Sequence, residues 1–144
     1  MNVKRISVEQ TWPIRNEILR PGLPVSTCQF EEDKLSGATH FGSYLENDLT
    51  GIVSVYQINP AHVTEGSCWQ FRAMATRENV RGLGHGKALI DAMEAYLTEQ
   101  GADLSWCNAR DSARGFYEKL GYTSVGEMFE IPGVGPHWLM HKSM

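Results

Sequence analysis

The sequence predicts a mixed α/β domain: a sheet of about seven strands, mostly antiparallel, with helices on both faces. Three observations carry that expectation. The segments run β, α, long loop, β-hairpin, β, α, β, α, β, β. The hydrophobic repeat changes from period two to helical period near Gly84, so at least one helix packs against strands. The length, 144 residues, suits one domain, 1–144, with a single core.

Each element has a local reason. Val3–Val8 reads as a short strand. Thr11 or Trp12 is expected to cap the first helix, with Pro13 tolerated in its first turn and Ile14, Ile18 and Leu19 buried. Pro21-Gly22 ends that helix. Residues 21–36, with Pro24 and the acidic run Glu31-Glu32-Asp33, read as a loop long enough to be functional. Ala38–Leu45 and Leu49–Ile58 form a hairpin around Asn47-Asp48, its second arm rich in β-branched residues. A further strand covers Ser67–Thr76. Leu89, Met93, Tyr96 and Leu97 then recur at helical spacing, which predicts a packed helix over Gly84–Gln100. Asp103–Cys107 is a short strand. Asp111 or Ser112 is expected to cap a second packed helix carrying Phe116 and Tyr117, and Gly121 to close it in the left-handed conformation. Strands Tyr122–Ile131 and Pro136–Lys142 flank the Pro132–Pro136 loop and complete the chain.

Composition removes several classes of function. The net charge is −4, the Lys and Arg residues are scattered, and no basic patch favours nucleic acid as a partner. No segment approaches the ~18 apolar residues of a membrane helix, and the N-terminus lacks a signal-peptide core, so the expectation is a cytoplasmic protein without a membrane partner. Cys28, Cys68 and Cys107 are odd in number and far apart. They make neither a disulfide framework nor a zinc-ligand set, and no metal is expected.

The segment that carries chemistry is Arg81-Gly82-Leu83-Gly84-His85-Gly86-Lys87, between a strand and an amphipathic helix. Glycines let backbone approach a ligand closely. Free N–H groups of the first helical turn and the helix dipole make an anion site suited to phosphate. Arg81 offers a bidentate fork and Lys87 a second cation. A ligand-free glycine turn is the competing reading. A P-loop is excluded because Arg81 and Ala88 stand where it needs Gly and Ser/Thr. The dinucleotide fingerprint fails because Lys87 stands where its third Gly belongs.

Arg81–Gly86 resembles the Arg/Gln-x-x-Gly-x-Gly/Ala signature of the GNAT N-acetyltransferase superfamily. A second block, Asn108-Ala109-Arg110 through Phe116-Tyr117-Glu118-Lys119-Leu120-Gly121-Tyr122, is similar to that family's Asn…Phe-Tyr-x-x-Leu-Gly-Phe/Tyr segment, one helix and one strand downstream. The resemblance is strong over residues 67–142 and rests on element order before that. It implies the GNAT-like acyl-CoA N-acyltransferase fold and transfer of acetyl from acetyl-CoA to a small-molecule or peptide amine. The alternative is a non-catalytic acetyl-CoA sensor of the same fold. Homodimers are common among such folds.

The resemblance also implies roles. The CoA pyrophosphate would sit on Arg81, Gly82, Leu83, Gly84, His85 and Gly86, with Lys87 nearby and His85 as a spacer. Pantetheine would pair with the strand end Met74-Ala75-Thr76, where a backbone N–H polarises the thioester carbonyl. Tyr117 matches the position that protonates the departing thiolate, and also suits a core tyrosine packed on Tyr122. Asn108 matches a position that bonds pantetheine or the acceptor, and also suits a turn residue. For the general base His137, Glu127, Glu130, Glu65 and His40 are candidates; His137 leads, against a purely structural histidine. Arg72 either orders the acceptor pocket or pairs with an acidic neighbour. An acyl-cysteine route through Cys107 has no partner base in the sequence.

Overall fold

The structure, a computed structural model, describes residues 2–144. Seven strands form one sheet: β1 (Asn2–Ile6), β2 (Thr39–Leu45), β3 (Asp48–Tyr56), β4 (Cys68–Thr76), β5 (Leu104–Arg110), β6 (Thr123–Ile131) and β7 (Gly135–Ser143). Their order is β1-β2-β3-β4-β5-β7-β6. Every neighbouring pair is antiparallel except β4 and β5. Helix α1 (Val8–Ile14) packs on one face, with Ile14, Ile52 and Ala75 in a small apolar cluster. Helices α2 (His85–Glu99) and α3 (Arg114–Lys119) cover the other, where Leu89, Ile90, Met93 and Leu97 meet Val53, Val55 and Phe71 in the main core. The expected mixed sheet with helices on both faces is the observed fold.

The first helix begins earlier than expected. Ser7, not Thr11 or Trp12, is its N-cap: Gln10 N donates to Ser7 Oγ at 3.3 Å and Ser7 N donates to Gln10 Oε1 at 2.9 Å. This reciprocal capping box satisfies two orphan donors at once. Pro13 therefore lies inside the helix, where it removes an N–H from the ladder. A π-turn over Arg15–Leu19 follows, closed by Arg20 N donating to Arg15 O at 3.0 Å.

In the hairpin, Leu45 pairs with Asp48, so the turn residues are Glu46-Asn47, one position before the expected pair. A bulge leaves Thr50 unpaired between Gly51 and Leu49, which takes up the shift. Two 3-10 turns, Val25–Cys28 and Glu31–Lys34, give order to the expected loop 21–36. α3 has no side-chain cap: a 3-10 turn over Asp111–Ala113 precedes it, and Asp111 Oδ1 instead accepts from Trp138 Nε1 at 2.7 Å. Gly121 has φ 96°, the left-handed closure expected of it.

One buried polar network ties loop 21–36 to the sheet. Arg15 is wholly buried. It donates to Asp33 at 2.7 and 3.1 Å, to Cys28 O at 2.8 Å and to Ser54 Oγ at 2.9 Å. Tyr56 Oη donates to Asp33 Oδ1 at 2.6 Å, and Phe30 N to Oδ2 at 3.1 Å. Burial alone would raise the Asp33 pKa, but the bonds from Arg15 and Tyr56 and the Arg15 charge hold it below the ordinary 3.8. Its stabilising contribution is therefore present above pH 3.8 and is lost as pH falls through the lower folded value. Asp33→Ala leaves the buried Arg15 cation unpaired. It is expected to cost about 3–5 kcal/mol in urea unfolding at neutral pH and to weaken the acid sensitivity of stability.

Candidate active site

The site is a fork in the sheet. β4 and β5 pair in parallel over Cys68–Gln70 and Leu104–Trp106 only. From Phe71 and Cys107 onward the strands part, although β5 keeps β7 on its far side to Arg110. β4 remains paired with β3, but a bulge at Ala73-Met74 faces Val53. Ala73 has φ 54°, a left-handed conformation that costs a non-glycine residue about 1 kcal/mol or more and that gathers at functional sites. The fork opens a cleft of about 610 Å³. Backbone groups along its β4 edge face no partner strand, so an extended ligand can pair there as an added strand.

Tyr117 sits over the crotch of the fork. Its ring packs on Phe71 at 5.5 Å, on Phe116 at 5.1 Å and on Tyr122 at 6.0 Å. It lines the cleft, and among the described residues its hydroxyl has no hydrogen-bond partner. Tyr122, by contrast, is committed to Ser105 Oγ at 2.8 Å and Glu94 Oε2 at 2.9 Å. Burial, and secondarily nearby Cys107, push the Tyr117 pKa well above its ordinary value. The phenol stays protonated at neutral pH, a state suited to donating a proton. The Cys107 thiol is likewise pushed up by burial, which opposes a thiolate nucleophile.

Beside the fork, the turn 81–86 feeds α2. Gly82 has φ 80° and Gly84, the N-cap, has φ 86°. Among the described residues, the amides of Gly82, Gly84, His85, Gly86 and Lys87 donate to no backbone carbonyl or side chain. Nothing lies within 4 Å of where a Gly82 Cβ would stand. Open space, free donors and the positive end of a 15-residue helix fit a diphosphate. The His85 side chain does not face this site. It is buried, with Nδ1 2.8 Å from Oγ1 of the bulged Thr50 and 3.4 Å from Ser43 Oγ, and so anchors the turn to the hairpin. Only its backbone is available to a ligand. Arg81 is exposed on the turn, while Lys87 is paired with Asp91 at 2.7 Å along the helix. Ala75 is buried against Ile14 and Ile52, which leaves its backbone rather than its side chain for the cleft.

The general-base candidates separate. Glu65, Glu127 and Glu130 are exposed and line no part of the cleft. His40 belongs to the buried network, with Nδ1 2.6 Å from Ser54 Oγ; burial lowers its pKa. His137 lines the cleft and is almost fully buried. Its Nδ1 lies 2.8 Å from Gly135 O. A carbonyl only accepts, so Nδ1 carries a proton, and in the neutral ring Nε2 is the nitrogen with the lone pair. Asn108 also lines the cleft and is exposed. Arg72 pairs with Glu32 at 2.8 Å at the cleft wall. Sequence reasoning missed Arg20, Phe30, Glu32 and Arg110 as lining residues and Arg15–Asp33 as the support behind them; each depends on contacts between distant segments.

Comparisons with known proteins give the family and the fold. The model of the acetyltransferase (GNAT) family matches residues 8–122. An uncharacterized N-acetyltransferase of Bacillus subtilis, YitI, is 40% identical over 144 residues, covering 100% of this chain and 97% of that protein. An aminoglycoside 6'-N-acetyltransferase crystallised with coenzyme A has a TM-score of 0.78 at 14% identity, covering 99% of this chain and 97% of that one. A ribosomal-protein-alanine N-acetyltransferase from Brucella melitensis has a TM-score of 0.75 at 13% identity, covering 100% of both chains. The chain belongs to the acetyltransferase (GNAT) family and is an N-acetyltransferase by that membership.

Gly84→Asp puts a carboxylate beside the free amides and a side chain at φ 86°. It is expected to weaken coenzyme A binding at least tenfold by calorimetry. Gly86→Val is expected to do the same by bulk rather than charge: its Cβ would stand 3.0 Å from Met74 Cε and 3.1 Å from Phe116 Cζ, so those side chains must give way beside the turn.

Proposed function

We propose that this chain transfers acetyl from acetyl-CoA to a primary amine, by direct attack of the amine on the thioester at the β4–β5 fork. What supports the reading is an unpaired β4 edge and a partnerless Tyr117 hydroxyl on one cleft, with the free amides of the α2 N-terminus adjoining it through Gly86, which lies against the cleft-lining Met74. In this reading residues 1–144 act as one catalytic unit in the cytoplasm, consistent with three free, buried cysteines.

The amides of the 81–87 turn hold the diphosphate, with Arg81 closing over it. Backbone groups of Met74-Ala75-Thr76 pair with the pantetheine arm, and Asn108 bonds the same arm from β5. An N–H of the β4 edge polarises the acetyl carbonyl; one such donor is worth about 10²–10³ in rate. Tyr117 gives its proton to the departing sulfur, and Nε2 of His137 takes one from the amine. A lysine-like amine is almost wholly protonated at neutral pH, so it gains most from such a base.

The deciding experiment is release of the coenzyme A thiol from acetyl-CoA in the presence of an amine panel, with the acetylated product identified by mass. Tyr117→Phe is expected to lower kcat by about 10²–10⁴ while coenzyme A affinity stays nearly intact. Unchanged turnover would assign the proton to another donor. His137→Gln is expected to lower kcat/KM at neutral pH and to recover as pH approaches the amine's own pKa, where the acceptor needs no base.

A further inference from the structure

The cleft has a charge opposite to that of the chain. The whole sequence carries a net charge of −4. The charged side chains lining the cleft are Arg20, Arg72 and Arg110 against the single acid Glu32. Low-dielectric walls focus such an excess on whatever enters.

The guanidinium groups of Arg72 and Arg110 lie on the face of the sheet away from the phosphate turn. Phe71, Cys107 and Ala109 belong to the core under α2 and α3. Arg72 and Arg110 alternate with them, and alternate residues of a strand point to opposite faces. Arg110 is also paired in register with His137 across β5 and β7, so the two side chains share a face. Neither arginine is therefore needed by the diphosphate at the N-terminus of α2.

Their states differ in an informative way. Arg72 already holds a carboxylate, Glu32, at 2.8 Å and stacks over Phe30 at 5.1 Å. Arg20 uses Nε on Thr27 Oγ1 at 3.0 Å. Arg110 is exposed to the cleft, and among the described residues it makes no hydrogen bond or ion pair. A planar fork without a partner, beside the base-bearing His137, matches a carboxylate in shape and charge.

Resting on the acetyl-transfer reading above, we propose that the acceptor is an amino-carboxylate: its carboxylate is held by Arg110, with Arg72 next to it, and its amine is presented to Nε2 of His137. The cationic wall repels a polyamine and attracts a zwitterion or an anionic amine. Specificity therefore comes from charge on the acceptor face, separate from cofactor binding on the other face.

The test compares matched pairs in the thiol-release assay: L-phenylalanine with phenethylamine, L-lysine with cadaverine, and spermidine as a polycation. The expected result is a kcat/KM at least tenfold higher for the amino acid of each pair. In Arg110→Met that ratio is expected to fall at least tenfold, through KM for the amino acid, while coenzyme A affinity stays within about twofold of wild type. Arg110 is exposed and, among the described residues, its side chain makes no hydrogen bond or ion pair, and coenzyme A binding doubles as the folding check. A preference for the decarboxylated amines or for spermidine overturns the proposal and leaves acetyl transfer standing. So does an Arg110→Met variant that loses coenzyme A affinity, or one that keeps the wild-type ratio. Release with no amine of either class overturns the acetyl-transfer reading itself.

Discussion

The cleft of this molecule follows from two parallel strands that stop pairing after three residues. A central sheet position normally satisfies every backbone donor and acceptor. Here the β4 edge beyond Gln70 and the facing edge of β5 beyond Trp106 are left without each other. Two features hold the gap open. The Ala73 bulge bends β4 away from its neighbour, at the expense of a left-handed alanine. Tyr117 and Phe71 fill the crotch from the helical side, so the strands cannot zip together without expelling two aromatic rings from the core. The vacancy in the ladder is thus a product of packing.

The same logic explains the Arg15–Asp33 pair behind loop 21–36. A buried ion pair contributes little net stability, because desolvation of both charges offsets most of their attraction. Its value is positional. Asp33 gathers Arg15, Tyr56 and the Phe30 amide on one carboxylate, and Arg15 reaches the Cys28 carbonyl. Those bonds fix the two 3-10 turns that carry Phe30 and Glu32 to the cleft wall. Phe30 lies under both Arg15 and Arg72, at 4.2 and 5.1 Å, so the buried guanidinium and the cleft guanidinium share one aromatic support. The loop is ordered by a network with a single correct geometry, which apolar contacts alone do not supply.

What the sequence made legible was whatever has a local cause. The change of hydrophobic period located α2, and the glycines of 81–86 located the strand-to-helix turn before it, because positive φ is what glycine supplies. Gly121 was readable for the same reason. Errors arose where two local signals competed. Pro13 suggested a helix start at Thr11 or Trp12, yet Ser7 and Gln10 form the cap and the proline is absorbed inside, ahead of a π-turn. His85 read as a spacer in the turn. Its inward anchor exists only because a bulge 35 residues earlier aims Thr50 at it. Arg15 and Asp33 are 18 positions apart, and no periodicity links them. Arg110 became interpretable only with the register that sets it beside His137.

The two sides of the fork solve recognition by different physics, and the difference has a consequence. In the proposed reading the phosphate side would use backbone amides at a helix N-terminus, which persist whatever side chains the turn carries, provided the glycine conformations survive. The proposed acceptor side is lined by the side chains of Phe30, Glu32, Arg72 and Arg110, which change with single substitutions. A strand presents alternate residues to opposite faces, so Arg72 and Arg110 can vary without disturbing Phe71, Cys107 or Ala109 in the core beneath α2. The pleat of β4 and β5 thereby separates the fixed requirement, a diphosphate, from the variable one, an amine and its charge. That separation would let a common sheet serve acceptors of unlike charge, and in the proposed reading the guanidinium excess at the cleft wall favours an anionic one.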